Sequence, residues 1–362
     1  MRPSSTKTNI GLSYCRALAT IAIIILHTGF ILSTNFQFKI KENIVLRLFV
    51  NCSMWAVPIF LMVTGTLILD ENKKLTLDKL IKKYIKRILL SIVIFVAIYQ
   101  IVDIILDNKQ IGFNQMLIYL KNLYTGKTYS PMWYLYMLIG LYLMMPMYRA
   151  FIKECDDKEI KFILFIYLVF ISLIPIIGIF KFKSGFYIHE LTIYPFYLFV
   201  GYSLHKGIIK INLKKGLLLL LISTILICIL TYLRWKNNYN NLEAFWGYSS
   251  PIVIAQSIGM FSLVMGKNKN LYWQNKERNT KSYNRNENLF SKVLLKIDDK
   301  SFGIYLIHII IIRIFISSPT IKNLISNITV YSILPILVIL NLILSYLIVK
   351  IIKNFPIFKT IL

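Results

Sequence analysis

Ten apolar stretches, most of them long enough to cross a bilayer as a helix, run through this sequence. A crossing takes about 20 mostly apolar residues, and irregular backbone or open sheet edges cannot face hydrocarbon. Of 362 residues, 57% are hydrophobic and only 16% are charged. The sequence therefore predicts an all-α, polytopic helical bundle of about ten transmembrane helices, at roughly 10–32, 44–69, 88–106, 132–150, 162–180, 191–205, 215–233, 245–266, 302–318 and 329–351.

The basic residues predict how this bundle is oriented. If the connecting segments alternate between the two membrane faces, 30 of the 42 lysines and arginines lie on the face that carries both termini, and 12 lie on the other. Basic loops stay in the cytoplasm, so both termini are predicted to be cytoplasmic. The net charge of +26 then reflects topology and attraction to anionic membrane lipids. Nucleic acid is not an expected partner, because the basic residues form short runs between apolar segments.

The connecting segments are short, so residues 1–362 are predicted to form a single membrane domain. The largest segment, 267–300, is rich in Asn and Lys and is predicted to be a mobile cytoplasmic loop. The four cysteines include no CxxC pair, which predicts neither a disulfide framework nor a metal site. Any chemistry is therefore expected within the membrane or at its faces, without a metal.

Two polar residues stand in the first span, where hydrocarbon is expected. Arg16 and His27 are about 20° apart around a helix and roughly 16 Å apart along its axis. An arginine near the bilayer centre costs roughly 2.5–3.5 kcal/mol and normally faces an interior cavity. Arg16 could instead snorkel to the inner headgroups, and His27 could be a neutral imidazole hydrogen-bonded between helices. Their shared face favours one polar cavity that serves both.

Arginine, ten residues and then histidine in a first span resembles the membrane acyltransferase-3 family, whose members acylate sugars and cell-envelope polymers. The resemblance covers nearly the whole chain and depends on the order and spacing of several segments. It is strongest to the stand-alone type similar to the enterobacterial common antigen O-acetyltransferase, which lacks an attached extracytoplasmic esterase-like domain. The matching segments are VPIFLMVTGTLIL (57–69), KKYIKR (82–87), PMWYLYMLIGLYLMMP (131–146), FYLFVGYSL (196–204) and SFGIYLIHIII (301–311).

This resemblance implies acyl transfer to a hydroxyl, with the histidine of the first span as the catalytic residue. The reaction needs a base, charge stabilisation for the oxyanion and an acyl donor held close. His27 suits the base, because a neutral imidazole is available near neutral pH. Arg16 is expected to stabilise the thioester end or the phosphates of acyl-CoA, or to orient the site. A covalent acyl-histidine intermediate is an open alternative.

The expected donor is acetyl-CoA from the cytoplasm. The basic cluster beside the third span could neutralise the CoA phosphates or could anchor the span on anionic lipid. The family usually has arginines there, so the match depends mainly on Arg87. The late Tyr-x-x-His pattern of the family adds two residues on the donor path. The candidate donor-binding residues are Lys82, Lys83, Lys86, Arg87, Tyr305 and His308.

The candidate acceptor-binding residues are expected at the exterior face. Asp103 or Glu190 could orient the imidazole of His27 or hold a sugar hydroxyl, and His189 lies beside Glu190. Trp133 could stack on a sugar ring. The alternatives are solvated loop residues for the polar groups and an aromatic-belt anchor for Trp133.

Together these inferences predict an integral-membrane O-acyltransferase of the bacterial plasma membrane. It would move an acetyl group from acetyl-CoA to a cell-surface polysaccharide or lipid-linked glycan. A glycan transporter or export component is the main alternative, although the chain shows no repeated halves. A membrane binding or uptake module is the third possibility.

Overall fold

The computed structural model describes residues 10–110, 112–126, 131–177, 192–237, 239–277 and 288–362. Within these ranges every regular element is a helix, which confirms the predicted all-α polytopic bundle. The helices are α1 Ile10–Asn35, α2 Ile40–Cys52, α3 Ala56–Ile68, α4 Leu77–Leu106, α5 Phe113–Thr125, α6 Trp133–Leu143, α7 Met145–Glu154, α8 Asp157–Ile177, α9 Ile193–Lys206, α10 Leu213–Asn237, a 3-10 helix Asn240–Trp246, α11 Pro251–Glu277, α12 Leu289–Ser317, α13 Pro319–Asn327, α14 Val330–Ile352 and α15 Pro356–Ile361.

Each of the ten predicted spans overlaps a helix. In the part of the chain that the structure describes, eight helical segments are long and apolar enough to cross a membrane. The fourth predicted span is the pair α6 and α7, bent by 50°, and counting it gives nine. The sixth is α9, which has only 14 residues. The chain is therefore a multi-pass membrane protein.

Pro146, the second residue of α7, explains the bend between α6 and α7. Proline lacks an amide hydrogen and disfavours helical geometry in the residue before it. Two further irregularities lie inside α4 and α8, as π turns at Leu80–Ile85 and Leu168–Leu173. Proline therefore bends one span, and two others contain a wider turn.

The predicted loop 267–300 is in fact helical at both ends. α11 continues to Glu277, and α12 begins at Leu289, well before the predicted start of the span. Leu294 and Ile297 are buried, and their spacing of three places them on one helical face. The charged residues around them, such as Lys292, Lys296 and Asp298, lower the mean hydropathy, although they do not interrupt the helix.

The chain forms two compact units, residues 1–70 with 152–301 and residues 71–151 with 302–362. In the first unit, α3 and α9 pack backbone against backbone. A Cβ on Gly65 would lie 2.0 Å from the carbonyl oxygen of Leu198, and one on Gly201 would lie 2.1 Å from that of Met62. Only glycine permits this approach, which is a common way for membrane helices to associate.

The second unit contains α4 to α6, most of α7, the part of α12 from residue 302 and α13 to α15. The hydroxyl of Tyr99 in α4 donates to the carbonyl of Leu306 in α12 at 3.1 Å. Asn341 of α14 donates to the carbonyl of His308 at 3.1 Å and accepts from Ser345 at 2.9 Å. Interhelical hydrogen bonds therefore join α4, α12 and α14 in this unit.

Candidate active site

Arg16 and Asp298 form a two-bonded ion pair in the first unit. The guanidinium donates from Nε to Oδ1 at 2.6 Å and from Nη2 to Oδ2 at 2.8 Å. The carboxylate side chain is 11% exposed and that of Arg16 is 25% exposed. Nη2 also donates to Ser13 at 3.4 Å, so Nη1 is the remaining donor nitrogen. Arg16 is thus held by a helix partner and does not extend alone towards headgroups.

Sequence reasoning missed Asp298, because the residue fell in the predicted loop. The available signal was its position four residues before Phe302, just ahead of the apolar run that forms the ninth predicted span, on the predicted cytoplasmic face. Helical periodicity across Leu294 and Ile297 would have extended α12 back past it. A buried carboxylate in a basic segment then requires a cation, and Arg16 supplies it.

His27 lies inside the first unit, eleven residues after Arg16 in the same helix. It is 7% exposed, and Ile23 and Ile24 one turn earlier are 2% and 1% exposed. α1 packs against α2, α3 and α11, so the imidazole faces protein and not lipid. The hydroxyl of Thr20 bonds to the Arg16 carbonyl at 2.8 Å, within the stretch of helix that separates the two residues.

Arg87 binds backbone in the second unit. Its Nε donates to the carbonyl oxygen of Ile361 at 2.6 Å, and its Nη2 donates to that of Leu362 at 3.2 Å. Its guanidinium also lies 4.8 Å from the centre of the Phe302 ring. Arg87 therefore connects α4 to α15 and to the start of the second unit's part of α12.

The three candidate lysines lie at the surface of α4. Lys82 pairs with Asp78 at 2.6 Å, with both side chains largely exposed. Lys83 and Lys86 are also exposed. Their side chains can therefore meet phosphates of either CoA or lipid, and the two sequence interpretations stay open.

Trp133, Tyr305 and His308 lie in one row of aromatic rings in the second unit. The ring centres are 6.1 Å apart from Trp133 to Tyr134, 5.6 Å from Tyr134 to Tyr305 and 5.9 Å from Tyr305 to His308. The Tyr305 hydroxyl donates to the carbonyl of Pro131. Residues expected on the acceptor and donor sides therefore lie in one row of side chains.

His308 is fully buried, and its backbone partners fix its tautomer. Its Nδ1 lies 2.7 Å from the Tyr305 carbonyl and 3.2 Å from the Ile304 carbonyl. Both carbonyls can only accept, so Nδ1 carries a proton. In the neutral ring, Nε2 is then the nitrogen that accepts. When its ring is neutral, His308 is therefore the Nδ1-protonated tautomer.

Asp103 pairs with an arginine that the sequence did not assign to it. Arg313 Nη1 lies 2.6 Å from Asp103 Oδ1, and the side chains are 28% and 19% exposed. Both belong to the second unit. Two further candidates, His189 and Glu190, lie outside the described residues.

Several polar contacts within each unit join segments that the predicted topology puts on one face. Contacts of this kind support the alternation of the spans, and the cytoplasmic position of both termini stays a prediction. On the predicted cytoplasmic face the pairs are Arg16–Asp298, Lys206–Asp70 and Arg149 with the Lys73 carbonyl. On the predicted exterior face they are Arg313–Asp103 and Arg234–Glu243.

Comparison with known protein families gives one match. The family model described as an acyltransferase domain, Acyl_transf_3, matches residues 9–350. It therefore covers α1 with both Arg16 and His27, and α12 with Asp298, Tyr305 and His308. Neither the comparison with curated proteins nor that with solved structures gives a match.

Proposed function

Because the chain belongs to the acyltransferase 3 family of membrane acyltransferases, we propose that its acceptor is a hydroxyl of a surface polysaccharide or lipid-linked glycan. The donor is acetyl-CoA, which reaches the protein from the cytoplasm, and the membrane is the bacterial plasma membrane. The observation that carries this proposal is the polarity of α1. It places a protein-facing imidazole on the same side of one helix as an ion-paired guanidinium.

Arg16 serves the donor in this proposal. Asp298 and Ser13 engage Nε and Nη2, so Nη1 can bind a CoA phosphate. Arginine suits a phosphate, because its planar donors match the phosphate oxygens. The flexible arm of CoA then extends along α1 towards His27, roughly 16 Å away along the axis.

His27 acts as the general base. Its imidazole takes the proton of the acceptor hydroxyl, and the hydroxyl oxygen forms a bond to the acetyl carbon. The carbon–sulfur bond of the thioester breaks, CoA leaves as the thiolate, and the proton passes from His27 to that sulfur. General base catalysis of this kind contributes typically 10²- to 10⁴-fold.

The test uses purified protein in proteoliposomes with acetyl-labelled acetyl-CoA and a lipid-linked glycan from the native envelope. The expected result is labelled glycan from the wild type and a rate at least about a hundredfold lower from His27→Gln. His205→Gln is the matched control, because it changes a second, half-buried histidine of the first unit, and it should retain activity. Activity of His27→Gln within threefold of wild type would contradict the proposed base.

Two further readouts separate the alternatives. If acid-quenched wild-type protein carries label and acid-quenched His27→Gln carries none, the mechanism uses an acyl-histidine intermediate in place of general base catalysis. Glycan that crosses the liposome membrane without gaining label would favour the transporter. Mass spectrometry of the glycan, showing a gain of one acetyl group, identifies the transferred group.

A further inference from the structure

A cluster of charged and aromatic side chains lies near the predicted exterior end of the first unit. We name Phe30, Arg47, Arg234, Trp235 and Glu243 the exterior arginine cluster. The Arg47 guanidinium carbon is 5.3 Å from the centre of the Phe30 ring and 5.0 Å from that of Trp235. The Arg234 carbon is also 5.0 Å from the Trp235 ring. One indole thus contacts two cations at distances typical of cation–π pairs.

The two arginines of the cluster differ in their partners. Arg234 is 9% exposed and donates from Nε and Nη2 to one oxygen of Glu243, at 3.1 and 2.9 Å. Among the described residues, Arg47 forms no ion pair, and its enclosed Nε–H has no hydrogen-bond acceptor. Arg47 is half-buried, and a partly buried cation that has no ion pair of its own is unfavourable. The enclosed Nε is out of reach of a ligand, whereas the terminal nitrogens Nη1 and Nη2 are not enclosed, so an anion from outside the chain can bind to them.

The position of the cluster relates it to His27. Phe30 follows His27 by three residues in α1, which is about 4.5 Å along the axis. Arg47 lies three residues inside the predicted second span, 44–69, and an ionisable residue within a span is a candidate for a functional site. The Glu243 side chain is 57% exposed. The cluster therefore extends from solvent to within about one helical turn of the level of the proposed base.

We propose that the exterior arginine cluster binds a carboxylate or phosphate group of the acceptor glycan and so presents a nearby hydroxyl to His27. This inference rests on the proposed function and narrows its acceptor to an anionic glycan. Two guanidiniums and one carboxylate leave one net positive charge. Arg47 can engage two oxygens of a carboxylate or phosphate at once, and the Trp235 indole holds its guanidinium in place. Neutral glycans lack the group that this cation would pair with.

Binding to the protein in phosphatidylcholine nanodiscs, measured by calorimetry without acetyl-CoA, tests the proposal. The probes are tetragalacturonate and its neutral methyl ester, with glucose 1-phosphate and glucose as the phosphate pair. Wild type should bind each anionic probe at least tenfold more tightly than its neutral counterpart. Arg47→Gln should remove about ten- to a hundredfold of the affinity for the anionic probes. Lys236→Gln, which removes an exposed cation that stacks on Tyr232, is the matched control and should bind as wild type does.

Glu243→Gln gives a test of opposite sign that does not depend on the folding of Arg47→Gln. It removes the competing carboxylate, so anionic probes should bind more tightly, by about threefold or more. Binding without preference for charge, or unchanged binding in both variants, overturns the proposal. Loss of probe binding in nanodiscs that contain phosphatidylglycerol would assign the cluster to lipid headgroups. That result would also overturn the proposal. His27→Gln should bind the probes normally, so a failure of the catalytic proposal is distinguishable from a failure of this one.

Discussion

Asp298→Asn removes the charge that holds Arg16 while preserving the size of the side chain. Exposed ion pairs contribute about 0–1 kcal/mol, whereas breaking a buried pair costs about 3–5 kcal/mol. The Arg16–Asp298 pair lies between these limits, because its side chains are 25% and 11% exposed and both carboxylate oxygens are engaged. We therefore expect Asp298→Asn to lose about 2 kcal/mol of the free energy that holds Arg16 in position. This corresponds to about a thirtyfold change in kcat/KM for the donor.

The assay is steady-state acetyl transfer by purified protein with varied acetyl-CoA. If Arg16 binds the donor, the KM for acetyl-CoA rises in Asp298→Asn, the KM for the glycan stays constant, and kcat/KM for the donor falls about thirtyfold. Asp298→Glu should recover part of the loss. Asp299→Asn is the matched control, because its carboxylate is 61% exposed and pairs with its sequence neighbour Lys300 at 2.8 Å; it should match wild type.

A double-mutant cycle provides the refuting result. If Asp298 acts through Arg16, Arg16→Gln and the double variant Arg16→Gln/Asp298→Asn should have equal kcat/KM, because the interaction is already lost. Independent, additive losses would show that the ion pair does not position Arg16. Normal kinetics in Asp298→Asn would contradict the reasoning outright.

Two further predictions concern packing and the second ion pair. Gly65→Ala should sharply lower the thermal stability in detergent, because the new Cβ would lie 2.0 Å from the backbone oxygen of Leu198. The control is Gly140→Ala, whose new Cβ meets nothing within 4 Å and should leave the melting temperature unchanged. Equal melting temperatures of the two variants would contradict the α3–α9 contact. Asp103→Asn should cost about 1–3 kcal/mol in unfolding free energy, because it removes the carboxylate that pairs with Arg313. Asp107→Asn, at an exposed position, should cost less than about 0.5 kcal/mol. Similar costs for the two variants in denaturant titrations would refute the assigned pair.

The helical spans were predictable from hydropathy, because the bilayer imposes one length and one secondary structure on each of them. The bend between α6 and α7 was predictable in principle from Pro146. The π turns were not, because no residue type marks them in the way that proline marks a bend. The tight packing of the short helix α9 was not predictable either, because it depends on Gly65, which lies in a helix far away in the sequence.

Individual polar residues of the site were predictable from the sequence, but the partners with which they pair were not. Arg16 and His27 stood out because each is anomalous within an apolar span. Asp298 did not, since it lies among other charges in a segment with low mean hydropathy. Arg47 and Arg234 were counted as ordinary basic residues of the exterior face. Their neighbours are set by how α2 and α10 pack, and one sequence alone does not contain that pairing.

The wide turn at Leu80–Ile85 in α4 affects how this chain tolerates insertions and deletions. A π turn holds one residue more than an α turn. Loss of one residue there would restore an unbroken α-helix and leave Arg87 facing the same backbone oxygens. Loss of one residue in the middle of α14 would rotate the rest of that helix by about 100°. Such a loss would turn the hydrogen-bonded pair Asn341 and Ser345 away from the carbonyl of His308. In evolutionary terms, α4 can shorten where α14 cannot.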